Sequence, residues 1–421
     1  MPTSASKKGP RGKTGCLTCR ARHKRCTEEL PTCSACLRAN LKCERTAPIV
    51  FEPRRQTTRS QWVPSSIETE LPSIQSPVPF TGSSEVLLLR RFQQGIATWM
   101  DLFDQQQRYQ ILLMREAANS KLLRHAICAL AARQLALQAP SRSWEGAASE
   151  HYGSALQLQS ETVQADPLDP ILLPAATLLA SYELMLLPGH DYTQHFFGAK
   201  AILEAQFELL RANALWLAAY WVFFRHDVSV ALSNDSPIRL RQQFWIEPDI
   251  TGDVCEDVMG NYSLLLLAKS LRMAHDRPKA QSVVQEDPQL QTALSGWNAA
   301  AVRRFSTFPD DNRGCKWYAI PSAAVAIQQA LTAELIIRRC FASGSSDDRR
   351  DALDKQLGED IIKLSIGDLP DYAQTQSVHY LCFVGRTIQG LALKGAAAGI
   401  MRDLQARTGF HTSSRIAAME A

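Results

Sequence analysis

Two stretches near the N-terminus carry the residues best suited to chemistry, "CLTCRARHKRC" at 16–26 and "CSACLRANLKC" at 33–43. Each reads C-x2-C-x6-C, and every cysteine of the first copy recurs seventeen residues on: Cys16 with Cys33, Cys19 with Cys36, Cys26 with Cys43. A thiolate is a soft, charged ligand that suits zinc, and a structural zinc takes four donors in a tetrahedron. Six sulfurs satisfy two zinc ions only if two of them bridge, which makes eight bonds. The first cysteine of each arm is the equivalent position and so the natural bridge. Cys16 and Cys33 are therefore expected to bridge, with Cys19 and Cys26 completing one site and Cys36 and Cys43 the other. A disulfide knot is the competing use of six cysteines, and it needs an oxidising compartment. The opening "MPTSASKKGPRGK" lacks the apolar core of a secretory signal. The other five cysteines (Cys128, Cys255, Cys315, Cys340 and Cys382) stand singly, as small core fillers do.

The two arms differ in charge. The first holds Arg20, Arg22, His23, Lys24 and Arg25, the second only Arg38 and Lys42. Residues 1–46 carry eleven Lys or Arg against three Glu, a net +8, whereas the rest of the chain holds 35 basic and 39 acidic residues, a net −4. Six thiolates with two Zn²⁺ carry −2, so the head keeps about +6. A basic head on a mildly acidic body suggests a polyanionic partner, and Lys and Arg would displace condensed counterions from nucleic-acid phosphates. Sequence reading needs more: Arg or Lys donating to guanine O6 and N7 in the major groove, worth about 1–3 kcal/mol per bidentate pair. One unbroken helix from Cys19 to Cys26 would turn Arg22 and His23 toward the metal along with the thiolates. The spacing instead predicts a short helix ending near Arg22, with Arg22 and His23 projecting from its end toward base edges. Lys13, Arg20, Lys24 and Arg25 complete the expected DNA-binding set.

The run "CLTCRARHKRCTEELPTCSACLRANLKC" resembles the fungal binuclear zinc-cluster transcription factors over roughly residues 13–46. Pro31, two residues before the fourth cysteine, falls where that family has a loop proline. The resemblance implies two Zn²⁺ ions with shared cysteines, double-stranded DNA as partner, reading often at CGG triplets from the first helix end, and a nuclear protein. The family commonly has Lys where this chain has His23. A neutral histidine still donates one hydrogen bond but lacks a permanent charge.

These groups must be positioned by elements the sequence also outlines. Residues 1–12 read as a basic disordered tail, 13–46 as a zinc-stabilised DNA-binding domain of two short helix-loop arms, and 47–83 as a flexible linker. That linker holds Pro48, Pro53, Pro64, Pro72, Pro77 and Pro79, which forbid the uninterrupted heptads of a coiled coil. The usual family route to dimerisation is thereby missing, which leaves a monomer or a homodimer through the body. From 84 to 421 the periodicity is helical: "SSEVLLLRRFQQGIATWMDLF", capped by Ser83 or Ser84, then "NSKLLRHAICALAARQLAL", "YSLLLLAKSLRMA" and others, with breaks such as "LPGHD". The expectation is a large all-α domain of ten or more helices. Its segments "LLRHAICALAARQLAL", "FFGAKAILEA" and "AAYWVFFRHDVSVALSNDSPIRL" resemble the helical regulatory domain downstream of the cluster in many such factors, which implies a platform for co-regulators, dimerisation or effectors.

The body shows no nucleophile elbow, phosphate loop or H-E-x-x-H motif, so no catalytic residue is expected. His190, Asp191 and His195 read as a loop-to-helix transition. Arg225, His226 and Asp227 read as a half-buried polar cluster, with an effector anchor as the alternative. The longest apolar run, "ALWLAAYWVFF" at 214–224, is well short of the roughly 20 residues of a membrane span. The function expected is a DNA-binding regulator of RNA polymerase II transcription controlling a metabolic or secondary-metabolite gene set. The alternative is a zinc-dependent protein-interaction adaptor.

Overall fold

The computed structural model describes residues 16–24, 26–27, 32–43, 83–138, 142–186, 193–276, 288–309, 316–340, 348–367 and 369–420. The expected tail, the expected linker before Ser83, and Lys13, Arg25, Pro31, His190 and Asp191 lie outside the described residues. Contacts divide the chain into two compact units, Met1–Ser73 and Ile74–Ala421.

Among its described residues the first unit holds two short helices, α1 (Leu17–Ala21) and α2 (Ser34–Leu37). The second is built from α3 (Ser83–Gln94), α4 (Ile96–Met100), a π-helical turn (Tyr109–Leu113), α5 (Met114–Ala117), α6 (Lys121–Gln138), α7 (Arg142–Ala165) and α8 (Leu172–Leu186). It continues through α9 (Thr193–Leu210), α10 (Ala214–Asn234), α11 (Glu256–His275), α12 (Pro288–Arg304), α13 (Pro321–Cys340), α14 (Asp348–Ile366), α15 (Asp371–Thr387), α16 (Lys394–Thr408) and α17 (Ser413–Glu420). The body is helical as expected. The sequence did not announce one hairpin, β1 (Thr307–Pro309) with β2 (Lys316–Tyr318), antiparallel with Thr307 opposite Tyr318. Helix α3 starts at Ser83, so both expected caps, Ser83 and Ser84, fall in its first turn.

Two apolar clusters form the body's core. One gathers α3 to α8; the other gathers α9 to α17 with the hairpin. Helix α10 serves both. Its Leu215, Ala218 and Val222 face the first cluster, and Trp216, Tyr220, Phe223 and Phe224 face the second. A helix apolar all round belongs inside, and each fully buried large side chain contributes about 1.5–3 kcal/mol. Asn213 caps its start by accepting from the Trp216 N–H at 2.9 Å, and Asp235 ends it in a left-handed conformation (φ 49°). The triplet Arg225-His226-Asp227 splits around this helix. Asp227 turns to the loop beyond α10, where it accepts from the Leu240 N–H at 2.8 Å and the Arg239 N–H at 3.1 Å. Buried polar side chains tie the second cluster together: the Gln328 amide donates to Ser365 Oγ at 2.6 Å and accepts from Ser377 Oγ at 2.7 Å, joining α13, α14 and α15.

At Gly260, α11 presses close on Phe103. A Cβ there would stand 2.2 Å from the Phe103 ring, and an aromatic ring in a packed core has no room to retreat. Gly260→Ala should therefore destabilise the body by about 1–3 kcal/mol, read as a lower denaturant midpoint with an unchanged slope; an unaltered midpoint would show that the ring moves freely.

Candidate metal centre and nucleic-acid interface

Neither head helix is stable alone, because helices this short are far below the roughly 12–15 residues that hold up in water. What they pack around is sulfur. Cys16, Cys19, Cys33 and Cys36 are all buried, and together they form the head's own core cluster, with Cys26 and Cys43 half-buried beside them. The six sulfurs fall into two overlapping quartets: Cys16, Cys19, Cys26 and Cys33, and Cys16, Cys33, Cys36 and Cys43. Within each quartet all sulfurs lie within 4.8 Å of one another, and Cys16 and Cys33 belong to both.

The spacings fit zinc. Zn–S bonds of about 2.3 Å make a tetrahedral S···S edge of about 3.8 Å. Cys16–Cys33 measures 3.8 Å, Cys16–Cys36 3.6 Å and Cys19–Cys33 3.7 Å. These are far beyond the 2.03–2.05 Å of a disulfide. One spacing does not follow the pattern. Cys19 and Cys36 approach to 3.7 Å, although two edge-sharing tetrahedra would hold them on different metals about 5 Å apart. Backbone groups prepare the donors: the Cys19 N–H points at Cys16 Sγ (3.3 Å) and the Cys16 N–H at Cys26 Sγ (3.4 Å). Burial, with the neighbouring thiols, pushes the Cys36 thiol up to about 12, and burial raises Cys19 as well. For Cys16 the Cys19 N–H pulls down, yet burial and the surrounding thiols carry it above its ordinary value. So crowded a set becomes thiolate only beside a cation, and a coordinating metal supplies that charge. The donor set suits two zinc ions.

The duplication extends past the cysteines to the way each helix stops. The Lys24 N–H bonds to the Cys19 carbonyl at 3.0 Å, with His23 left-handed at φ 51°. Seventeen residues on, the Leu41 N–H bonds to the Cys36 carbonyl at 3.1 Å, with Asn40 left-handed at φ 51°. Both are Schellman stops, in which a left-handed residue turns the chain off the helix axis. Cross-arm bonds hold the halves together: Thr18 Oγ1 donates to the Lys42 carbonyl at 2.7 Å, and the Ser34 N–H donates to Thr27 Oγ1 at 3.0 Å. The sequence reading missed Thr18, Thr27 and Ser34. The stop was readable in Asn40, a residue type that tolerates the left-handed region.

The helix end lies close to its expected place, with α1 stopping at Ala21, one residue before Arg22. Arg22, His23 and Lys24 are exposed directly beyond it, and Arg38 and Lys42 are exposed on the second arm. Arg20 lies within α1, and its side chain is outside what is described. In the body, His195 pairs with Glu183 at 3.3 Å and sets its ring against Tyr152. Among the described residues, the two cysteine quartets are the only groups placed to hold a metal, and no helix is long and apolar enough to cross a membrane.

Residues 14–49 match the family model for the fungal Zn(2)-Cys(6) binuclear cluster domain, and residues 87–295 match the one for the fungal specific transcription factor domain. No curated protein and no solved structure matches the chain. Metal binding in so small a head is folding free energy, so Cys16→Ser, which removes a sulfur common to both quartets, should cost the head both zinc ions and its fold. Metal analysis of the purified variant checks this; two retained zinc ions would contradict it. With a six-cysteine cluster at its head, a regulatory domain behind it and the domain pair of a non-enzymatic, DNA-binding regulator, the chain belongs to the fungal binuclear zinc-cluster transcription factors.

Proposed function

We propose that the chain is a nuclear, sequence-specific regulator of RNA polymerase II transcription that reads a CGG-type triplet in the major groove and controls a metabolic or secondary-metabolite gene set. In this reading Cys16 and Cys33 bridge the two metals, Arg22 and His23 contact base edges, and Lys24 contacts phosphate together with Lys13, Arg20 and Arg25. The zinc head spans 13–46, the linker 47–83 and the regulatory body 84–421. The body engages co-regulators and carries any homodimer contact.

The observation that carries this reading is the comparison of the two arms. They share cysteine spacing, helix start and helix stop, so the scaffold makes the same demand on both. Yet Arg20, Arg22, His23, Lys24 and Arg25 stand opposite Leu37, Ala39, Asn40, Leu41 and Lys42. Folding does not require the charges, because the second arm folds the same way without most of them. Cations concentrated in the sequence of one of two equivalent arms suit a polyanion that meets that arm alone. Base reading from a helix end also needs side chains that leave the helix axis, and the left-handed stop at His23 provides that departure.

The roles separate under mutation. Arg22→Ala should lower the preference for the selected triplet over random duplex by roughly 5- to 100-fold, the worth of one good base contact. His23→Asn, which keeps the left-handed stop, should likewise relax the triplet. Arg25→Ala should weaken all duplexes alike and reduce the salt slope by about one. Binding-site selection on the zinc-loaded chain, followed by salt titrations on the selected and random duplexes, reads all three. Equal losses on every duplex for every variant would refute the assignment, and a wild-type affinity insensitive to salt would favour the adaptor instead.

A further inference from the structure

The seam between the body's two apolar clusters does not close beside the second half of α10. A cavity of about 70 Å³ remains there. By the measure in which one water takes about 10–15 Å³, it holds about five waters, or an organic molecule of similar bulk. Part of the lining is apolar, with Trp99, Leu130, Met185 and Phe410. The rest includes Arg225, His226, His379, His411 and Arg415, the last set over the Phe410 ring, and no Asp or Glu among the described residues lines the space.

Arg225 is the unusual member, a guanidinium only 4% exposed. Its Nη2 donates to the Met100 carbonyl at 3.1 Å, and the group stacks on Phe103 at 5.7 Å. Its Nη1 has no hydrogen-bond partner among the described residues, and the same holds for His226 Nδ1 and His411 Nε2. The acids nearest in influence are engaged elsewhere. Asp101 accepts from the Tyr109 and Gln110 N–H groups at 2.9 and 3.0 Å, and Asp104 pairs with Arg108 at 2.7 Å. Burial, with Arg225 beside it, pushes His226 down to about 3; burial, then Arg415 and His226, depresses His379. The imidazoles are thus neutral donors or acceptors around buried positive charge. An unpaired buried charge and orphaned donors are costly, and an anion that also fills the apolar side would relieve both.

We infer that this cavity binds a small amphipathic carboxylate, an anionic group on an apolar body with about eight or nine non-hydrogen atoms in all. Arg225 receives the carboxylate and the Trp99–Phe410 side receives the body. Arg415 on α17 and His411 just before it close the same space, so occupancy joins α10 to the C-terminal helices that follow residue 295. The inference stands apart from the DNA reading, because the site lies wholly within the helical body.

Isothermal titration of the zinc-loaded full chain without DNA tests it, using benzoate, benzamide and inorganic phosphate. Benzoate should bind at least about tenfold more tightly than benzamide, since a charge-assisted bond to guanidinium is lost in the amide, and phosphate should give no saturable heat. Arg225→Gln should abolish the benzoate signal, and Arg415→Gln, at a half-buried position, should weaken it. Absence of benzoate binding, equal binding of benzamide, or phosphate binding as well as benzoate would each overturn the proposal. Should Arg225→Gln not fold, the three ligands on the unaltered chain decide the matter.

Discussion

Six sulfurs drawn within a few ångströms of one another are the constraint on which the head depends. They replace a hydrophobic core, because nothing else buried in that unit could serve as one among the described residues. Thiols packed this closely resist ionisation, and thiolates packed this closely repel. A pair of divalent cations resolves both difficulties and fixes the tetrahedral edges that the sulfur spacings approach. The short helices, the cross-arm bonds of Thr18 and Ser34 and the exposure of Arg22 all follow from where the sulfurs are held. This is a fold whose interior is coordination chemistry.

Duplication gives that fold a control experiment within its own chain. Two arms built on one plan, down to a left-handed residue four positions beyond the middle cysteine, separate what the scaffold needs from what only one arm carries. His23 sits on both sides of that division. Its backbone answers the same demand as Asn40, while its side chain stands among the arginines and lysines of the first arm. In this chain the position is therefore also a structural turn, and the imidazole is a residue type that accepts such a turn more readily than a β-branched one.

The cysteine spacing was the most legible part, because a metal tetrahedron admits few ligand patterns and the repeat confirms the phase. The helical body was readable from periodicity in long segments such as α6 and α11. The hairpin at 307–318 was not, since three-residue strands are too short for alternation to show. The end of the first helix near Arg22 was readable from the cysteine spacing, but the left-handed turn at His23 that makes it was not, because a run of charge hides a turn that glycine would have announced. The cavity was least readable of all. Arg225 and His226 drew notice as a cluster with Asp227, but the helix sends Asp227 to a loop and brings in His411 and Arg415 from almost two hundred residues away. Convergence of that kind is a property of packing, and no local pattern encodes it.

The body shows the opposite economy to the head: ample apolar burial, with a few charged side chains such as Arg225, Asp227 and Asp354 admitted within it. The DNA-binding reading rests on the metal-built head, so the metal count and geometry carry the most weight. Zinc-edge X-ray absorption on the purified chain, with metal content measured on the same sample, addresses them directly. The account requires two zinc ions per chain, each with four sulfurs at about 2.3 Å and a second zinc at roughly 3 Å. A single zinc, nitrogen or oxygen in the first shell, or oxidised cysteines without metal would contradict it.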